Sequence, residues 1–207
     1  MKKYIFIIVC IALVVIGLFT VRFGSAEDSW ICVDGQWAMH GKPNTAKPAF
    51  PCPVVAKKEV SSMKLYSAAF GENEFIPKIY SCDGAKRSPP LSISEVPPDT
   101  KTLALIMEDP DAPDNTFIHW TMWNIPPDSK ELEEGVVPDG IMEGANSGGS
   151  TGYYPPCPPV STHRYIFTLY ALDSRIDLPA SGSVSQLRTA MERHILAQTQ
   201  LTGLYKR

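Results

Sequence analysis

The sequence predicts a mainly β fold with a helix near its C-terminus, and three observations carry that prediction. Thr102 to Glu108, Phe117 to Ile125 and His163 to Leu172 are rich in apolar, aromatic and β-favouring residues and have the length of strands. Prolines crowd the stretches around them, at Pro89-Pro90, Pro97-Pro98, Pro126-Pro127 and Pro155 to Pro159, so long irregular loops make the connections. Clear helical spacing occurs in one segment, where Val184, Leu187, Met191, His194, Ile195 and Ala197 recur on one side. Ser183 and Gln186 form a capping box at its start, and Gly203 suits its exit.

Taken in chain order, residues 1–26 come first and carry a targeting signature. Lys2 and Lys3 precede an uncharged apolar run from Tyr4 to Val21, 18 residues long, which ends near the small residues Gly24-Ser25-Ala26. This pattern predicts a cleaved export signal, and the length of the run makes an uncleaved N-terminal membrane anchor the alternative. Cys10 follows Ile8 and Val9, without the small residues that precede a lipid-modified cysteine. The expected destination is the periplasm or the exterior, with the membrane touched only through this segment if it is retained. Residues 1–26 hold three of the 19 basic groups and none of the 22 acidic ones, so the remainder has 16 against 22 and a net charge of −6. Such a chain, without a Lys or Arg cluster, offers no footprint for nucleic acid.

Residues 27–60 form a cysteine- and proline-rich extension. Asp34-Gly35 between Ile31 to Val33 and Gln36 to Met39 is a short hairpin signal. His40 is expected to be a surface residue. Four cysteines follow the leader: Cys32, Cys52, Cys82 and Cys157. An even number in an exported chain reads as disulfides, and four allow three connectivities. Cys32 and Cys52 bracket one irregular segment, while Cys82 and Cys157 lie in separate loops, which favours 32 with 52 and 82 with 157. A buried free thiol at Cys157 is the competing arrangement. Residues 61–207 then make one domain of ordinary size.

Chemistry concentrates on the predicted strands. Alternation puts His163 and Tyr165 on one strand face, and puts Phe117, His119, Thr121 and Trp123 together on another. Asp109-Pro110-Asp111-Ala112-Pro113 follows the first strand and presents two carboxylates in a proline-stiffened loop. Two imidazoles, a phenol and loop N–H groups can bind an anion. A neighbouring carboxylate is expected to raise the histidine pKa values toward the imidazolium form, with Asp109 orienting rather than contacting the ligand.

The ordered set Glu108-Asp109-Pro110-Asp111-Ala112-Pro113, Phe117-Ile118-His119-Trp120, Gly152-Tyr153 with Pro156-Cys157-Pro158-Pro159, and Thr162-His163-Arg164-Tyr165 resembles the phosphatidylethanolamine-binding family, in its bacterial Raf kinase inhibitor-like branch. Cys82-Asp83-Gly84 with Ser88-Pro89-Pro90-Leu91 adds a further match. The resemblance implies an antiparallel β-sandwich with peripheral helices and a shallow pocket for phosphate-like anions or a phospholipid headgroup. It assigns that pocket to Asp109, His119, His163 and Tyr165, with Pro113 and Pro159 as walls and Asp111 nearby. It implies neither cofactor nor catalysis; a protein-interaction or inhibitor module working through the surrounding loops is the alternative. The family pattern has glycine where this chain has Pro155 and Ser161, and tryptophan where it has Ile93.

Two other functions are disfavoured. Gly148-Gly149-Ser150-Thr151-Gly152 matches G-x-S-x-G, but neither a strand before it nor a helix after it is predicted, as a nucleophile elbow requires. The spacing of Asp109, Asp111, His119 and His163 matches no compact metal motif.

Overall fold

The computed structural model describes residues 29–33, 36–52 and 63–207, in two units divided between Glu59 and Val60. The leader predicted over residues 1–26 lies outside the described residues, as does the Asp34-Gly35 turn. Among the described residues no helix is long and apolar enough to cross a membrane.

The first unit is a hairpin. Strands β1 (Ser29–Val33) and β2 (Gln36–His40) pair antiparallel with Trp30 opposite Met39 and Cys32 opposite Trp37. Opposed residues share a face, so these four side chains lie together and the following segment folds back over them. Trp30 Nε1 donates to the Thr45 carbonyl at 2.8 Å and Trp37 Nε1 to that of Phe50 at 2.9 Å. A Cys32–Cys52 disulfide closes the segment, with Cα atoms 5.6 Å apart. Few apolar residues are available here, so cross-linking replaces a core.

The second unit begins with β3 (Lys64–Tyr66), β4 (Glu74–Phe75), β5 (Leu91–Ser94) and β6 (Thr102–Asp109). It continues with β7 (Phe117–Ile125), β8 (Glu131–Leu132), β9 (Met142–Glu143) and β10 (His163–Leu172), then helix α1 (Val184–Met191) and β11 (Ile195–Tyr205). Six strands form one sheet in the order β4-β11-β10-β6-β7-β9, and β3-β5-β8 form a second. Every pairing is antiparallel except the two-residue contact of β4 with β11. The unit is the expected sandwich, with a helix packed on the outer face of its larger sheet.

The central strands read as nearly continuous apolar runs because both of their faces are covered. Leu103, Leu105 and Met107 of β6 meet Leu65, Leu91, Ile93 and Leu132 of the small sheet. Ala104 and Ile106, on the opposite face, pack with Trp123, Leu172, Leu187 and Met191 beneath α1. Ile93, where the family pattern has tryptophan, is buried in the inter-sheet core.

One prediction fails at the C-terminus. The capping box is present: Ser183 Oγ accepts from Gln186 N, and Gln186 Oε1 accepts from Ser183 N. The helix nevertheless stops at Met191, and Ile195–Tyr205 is a strand paired with β10 along its length. Glu192, at ψ 129°, leaves the helix and Arg193, at φ 70°, turns the chain away. His194 therefore leaves the helix stripe, and its Nδ1 lies 2.7 Å from Asp173 Oδ1. Leu201, Gly203 and Tyr205 alternate into the core instead. Gly203 is no helix exit; a Cβ there would come within 2.5 Å of Ile76 and 2.8 Å of Phe70, which explains the glycine inside a strand.

Candidate functional site

Strand order creates the site. In the sequence β10-β6-β7 the middle strand ends at Asp109, so its carboxylate emerges between His163 of β10 and His119 of β7. All three side chains are buried, and Tyr165 is wholly so. Asp109 Oδ1 accepts from the Asp111 N–H at 2.8 Å, a local turn bond that fixes the carboxylate's direction. Its Oδ2 lies 2.7 Å from His163 Nδ1.

His119 reaches this group through an irregularity. Met107 pairs with Trp120 but Glu108 pairs with Ile118, so His119 is the extra residue of a β-bulge. Beyond it the alternation reverses. Trp120 and Met122 join the inter-sheet core with Tyr165, whereas Trp123 joins the helix-side core. The predicted common face of Phe117, His119, Thr121 and Trp123 is thus corrected: Phe117 and His119 stay together, with ring centroids 4.7 Å apart, and Thr121 pairs with Ile106 of the helix-side face. His119 stands edge-on to Tyr165, centroids 5.1 Å apart.

Both imidazoles are oriented through Nδ1. His119 Nδ1 lies 2.7 Å from the Tyr154 carbonyl, which can only accept, so Nδ1 carries the hydrogen. Tyr154 N in turn donates to the His119 carbonyl at 2.8 Å. Pro155 holds Tyr154 extended, because a residue before proline avoids the helical region. The Nε2 atoms of His119 and His163 have no hydrogen-bond partner among the described residues.

The electrostatics correct a second expectation. Burial lowers the pKa of His119 below 6.5, outweighing the Tyr154 carbonyl and the charge of Asp109, which act to raise it. His119 is accordingly a neutral imidazole at pH 7, with a lone pair on Nε2. Burial also raises the Tyr165 phenol, assisted by Asp109 and opposed by the Cys157 N–H. Tyr165 is therefore an un-ionised hydroxyl.

Asp111 takes a different position from the imidazoles. It accepts from the Arg164 backbone N–H at 2.9 Å, from Arg164 Nε at 2.9 Å and from Nη2 at 2.6 Å. Those bonds hold its carboxyl down at about 2. Asp111 latches the proline loop onto β10, because Arg164 projects opposite to His163 and Tyr165. Pro113 and Pro159 are exposed, whereas Pro156 and Pro158 are buried.

Sequence reasoning missed Tyr154, whose carbonyl fixes His119 and whose ring lies 5.3 Å from that of Phe117. Its only signal was its place before Pro155. The structure joins Cys82 to Cys157 with Cα atoms 5.4 Å apart, and Cys82 N donates to the Pro156 carbonyl at 3.0 Å. The loop that carries Tyr154 and Cys157 is thereby fastened beside the histidines. Ser161 adopts φ 63°, a left-handed conformation that a glycine takes without strain.

Ser150 sits in a loop and exchanges hydrogen bonds with Asn146, at 2.9 and 3.2 Å. Among the described residues no three His, Cys, Asp or Glu side chains converge on a metal position.

Comparison with known proteins gives a consistent picture. A family model described as phosphatidylethanolamine-binding protein matches residues 66–206. A UPF0098 protein of Methanothermobacter thermautotrophicus is 49% identical over 150 residues, covering 70% of this chain and 99% of the relative. One from Chlamydia muridarum is 47% identical over 151 residues, with the same coverage. A solved phosphatidylethanolamine-binding protein homologue from Chlamydia trachomatis superposes with TM-score 0.69 at 43% identity, over 71% of this chain and 99% of that one. A solved E. coli protein, described as a new member of the mammalian family, gives TM-score 0.66 at 27% identity over 70% and 98%.

Proposed function

This chain belongs to the phosphatidylethanolamine-binding protein family, and from that premise we propose an exported, non-catalytic binding protein whose pocket receives a phosphate-like anion, free or as a phospholipid headgroup. The observation that carries this reading is the pair of imidazoles fixed through Nδ1, with both Nε2 atoms unpartnered among the described residues beside the Tyr165 ring. With Nδ1 directed at an acceptor in both rings, each neutral imidazole presents a lone pair at Nε2 and donates there only once a proton is added. His119 accepts, so it suits a protonated phosphate oxygen or takes up a proton as the anion arrives.

Binding without turnover fits the same geometry. Among the described residues no serine or threonine hydroxyl bonds either imidazole, so the Asp109–His163 pair is not joined to a side-chain hydroxyl nucleophile. Export is supported by the apolar leader and by two disulfides, which persist in oxidising compartments.

Calorimetric titration with phosphoethanolamine and with inorganic phosphate tests the reading. Saturable heat is expected from the native protein, and at least a tenfold loss of affinity from His163→Ala and from His119→Ala, about 1.4 kcal/mol or more each. Unchanged binding in both variants would place the anion elsewhere and end the proposal.

A further inference from the structure

We propose that Asn146 and Ser147 are positioning residues of the candidate site, which hold open the β-bulge that sets His119 beside Asp109 and Tyr165; their role in binding rests on the anion reading of that site. In a regular strand the backbone groups of successive residues face opposite neighbours. At the bulge this alternation fails. The Ile118 carbonyl accepts from Ser147 N at 2.9 Å and the next carbonyl, that of His119, accepts from Tyr154 N at 2.8 Å, so two consecutive residues turn to one loop. The Ile118 N–H donates to Ser147 Oγ at 2.9 Å, where a ladder would use a backbone carbonyl. Ser147 thus meets both polar groups of the residue that enters the bulge, and Tyr154 meets His119 at its carbonyl and at Nδ1.

Asn146 sets the span between these two supports. Its buried side chain donates to the Gly152 carbonyl and to Ser150 Oγ, both at 2.9 Å, and accepts from Gly148 N at 3.0 Å and from Ser150 N at 3.2 Å. One amide therefore joins the arm that carries Ser147 to the arm that leads into Tyr154. Gly148 completes the seat, because a Cβ there would come within 2.2 Å of the Tyr154 ring. The run from Gly148 to Gly152, which matches a nucleophile elbow in sequence, has this different use. With Gly149 at φ 82° and Gly152 at φ 90° it turns tightly enough for both arms to reach one strand edge. Ile118 is buried, so its N–H depends on the Ser147 hydroxyl. A strand released from the loop recovers its alternation, and a one-residue change of register carries a side chain to the opposite face. His119 then leaves the Tyr154 carbonyl.

Two measurements on the full chain test this: nitrogen NMR of the neutral histidine rings without phosphate, and calorimetric titration with inorganic phosphate. Native His119 is expected as a single tautomer with its hydrogen on Nδ1. Ser147→Ala, a change at an exposed side chain, is expected to mix the tautomers of His119 while leaving His163 unchanged against Asp109. It should also weaken phosphate binding roughly fivefold, the worth of one hydrogen bond. Ser147→Thr keeps the hydroxyl and is expected to restore both properties. Asn146→Asp keeps the two accepted bonds and loses the two donated ones, and should cost about tenfold or more in affinity with the same change at His119. The proposal is overturned if His119 keeps its tautomer in both Ser147→Ala and Asn146→Asp, or if both variants bind phosphate as tightly as a native protein that binds it. A native protein that binds no phosphate, with the His119 tautomers still mixed in both variants, would end the anion reading and uphold the support of the bulge.

Discussion

His119 and His163 sit on neighbouring walls of the site with the same ring atom tied down, yet their partners differ in charge. A carboxylate backs His163 and a carbonyl backs His119, so the second imidazole has little to offset its removal from water. Its lowered pKa has a sign that can be followed. The folded state releases this proton more readily than the unfolded chain, so its contribution to stability is complete above 6.5 and is lost as pH falls from there through the folded-state value. An anion reverses the balance by favouring the protonated complex. Titrations at pH 7 in buffers of different ionisation enthalpy should therefore show proton uptake on binding phosphate. A buffer-independent enthalpy would mean that His119 does not share a proton with the ligand. The residues themselves were legible, since Asp109, His119, His163 and Tyr165 stand in ordered motifs. The protonation state of His119 was not, because burial is set by Phe117, Tyr154 and Tyr165 closing around it.

Among the elements, the loop from Gly152 to Pro159 has the most influence on the site for its size. It carries the carbonyl that orients His119 and the N–H that faces Tyr165, and it is held by the Cys82–Cys157 bond across 75 residues. Replacing both cysteines by serine is expected to cost about 4 kcal/mol of stability in the chain-entropy picture. Denaturant unfolding measures that loss. Phosphate affinity should fall as well, because two of the loop's backbone groups position side chains of the site. Retention of full affinity in the doubly substituted protein would show that the proline-rich loop holds its shape unaided. Elements differed in how well they could be foreseen. β6, β7 and β10 were plain from composition, whereas β3, β4, β8 and β9, of two or three residues each, are too short to show any period.

For the whole molecule, the described core residues of the second unit come from its own strands, loops and helix and lie on both faces of the large sheet. The hairpin before Glu59 has its own disulfide and its own tryptophan bonds. A chain starting at Val60 should thus melt as one cooperative transition and bind phosphate as tightly as the full protein, as judged by calorimetry. Failure of the shortened chain to fold would show that the extension contributes to the core.

The sequence by itself determined the central strands and the capped start of the helix, because each depends on neighbours a few positions away, and its ordered motifs marked the polar residues of the candidate site. Tertiary structure alone decided where the helix ended, since Ile195–Tyr205 fits a helical stripe locally but finds its full set of backbone partners on β10. It likewise decided that a bulge carries His119 to the side of Asp109 and Tyr165. It also decided that burial keeps that imidazole neutral. Register and desolvation are properties of segments brought together from distant parts of the chain, and no local pattern encodes them.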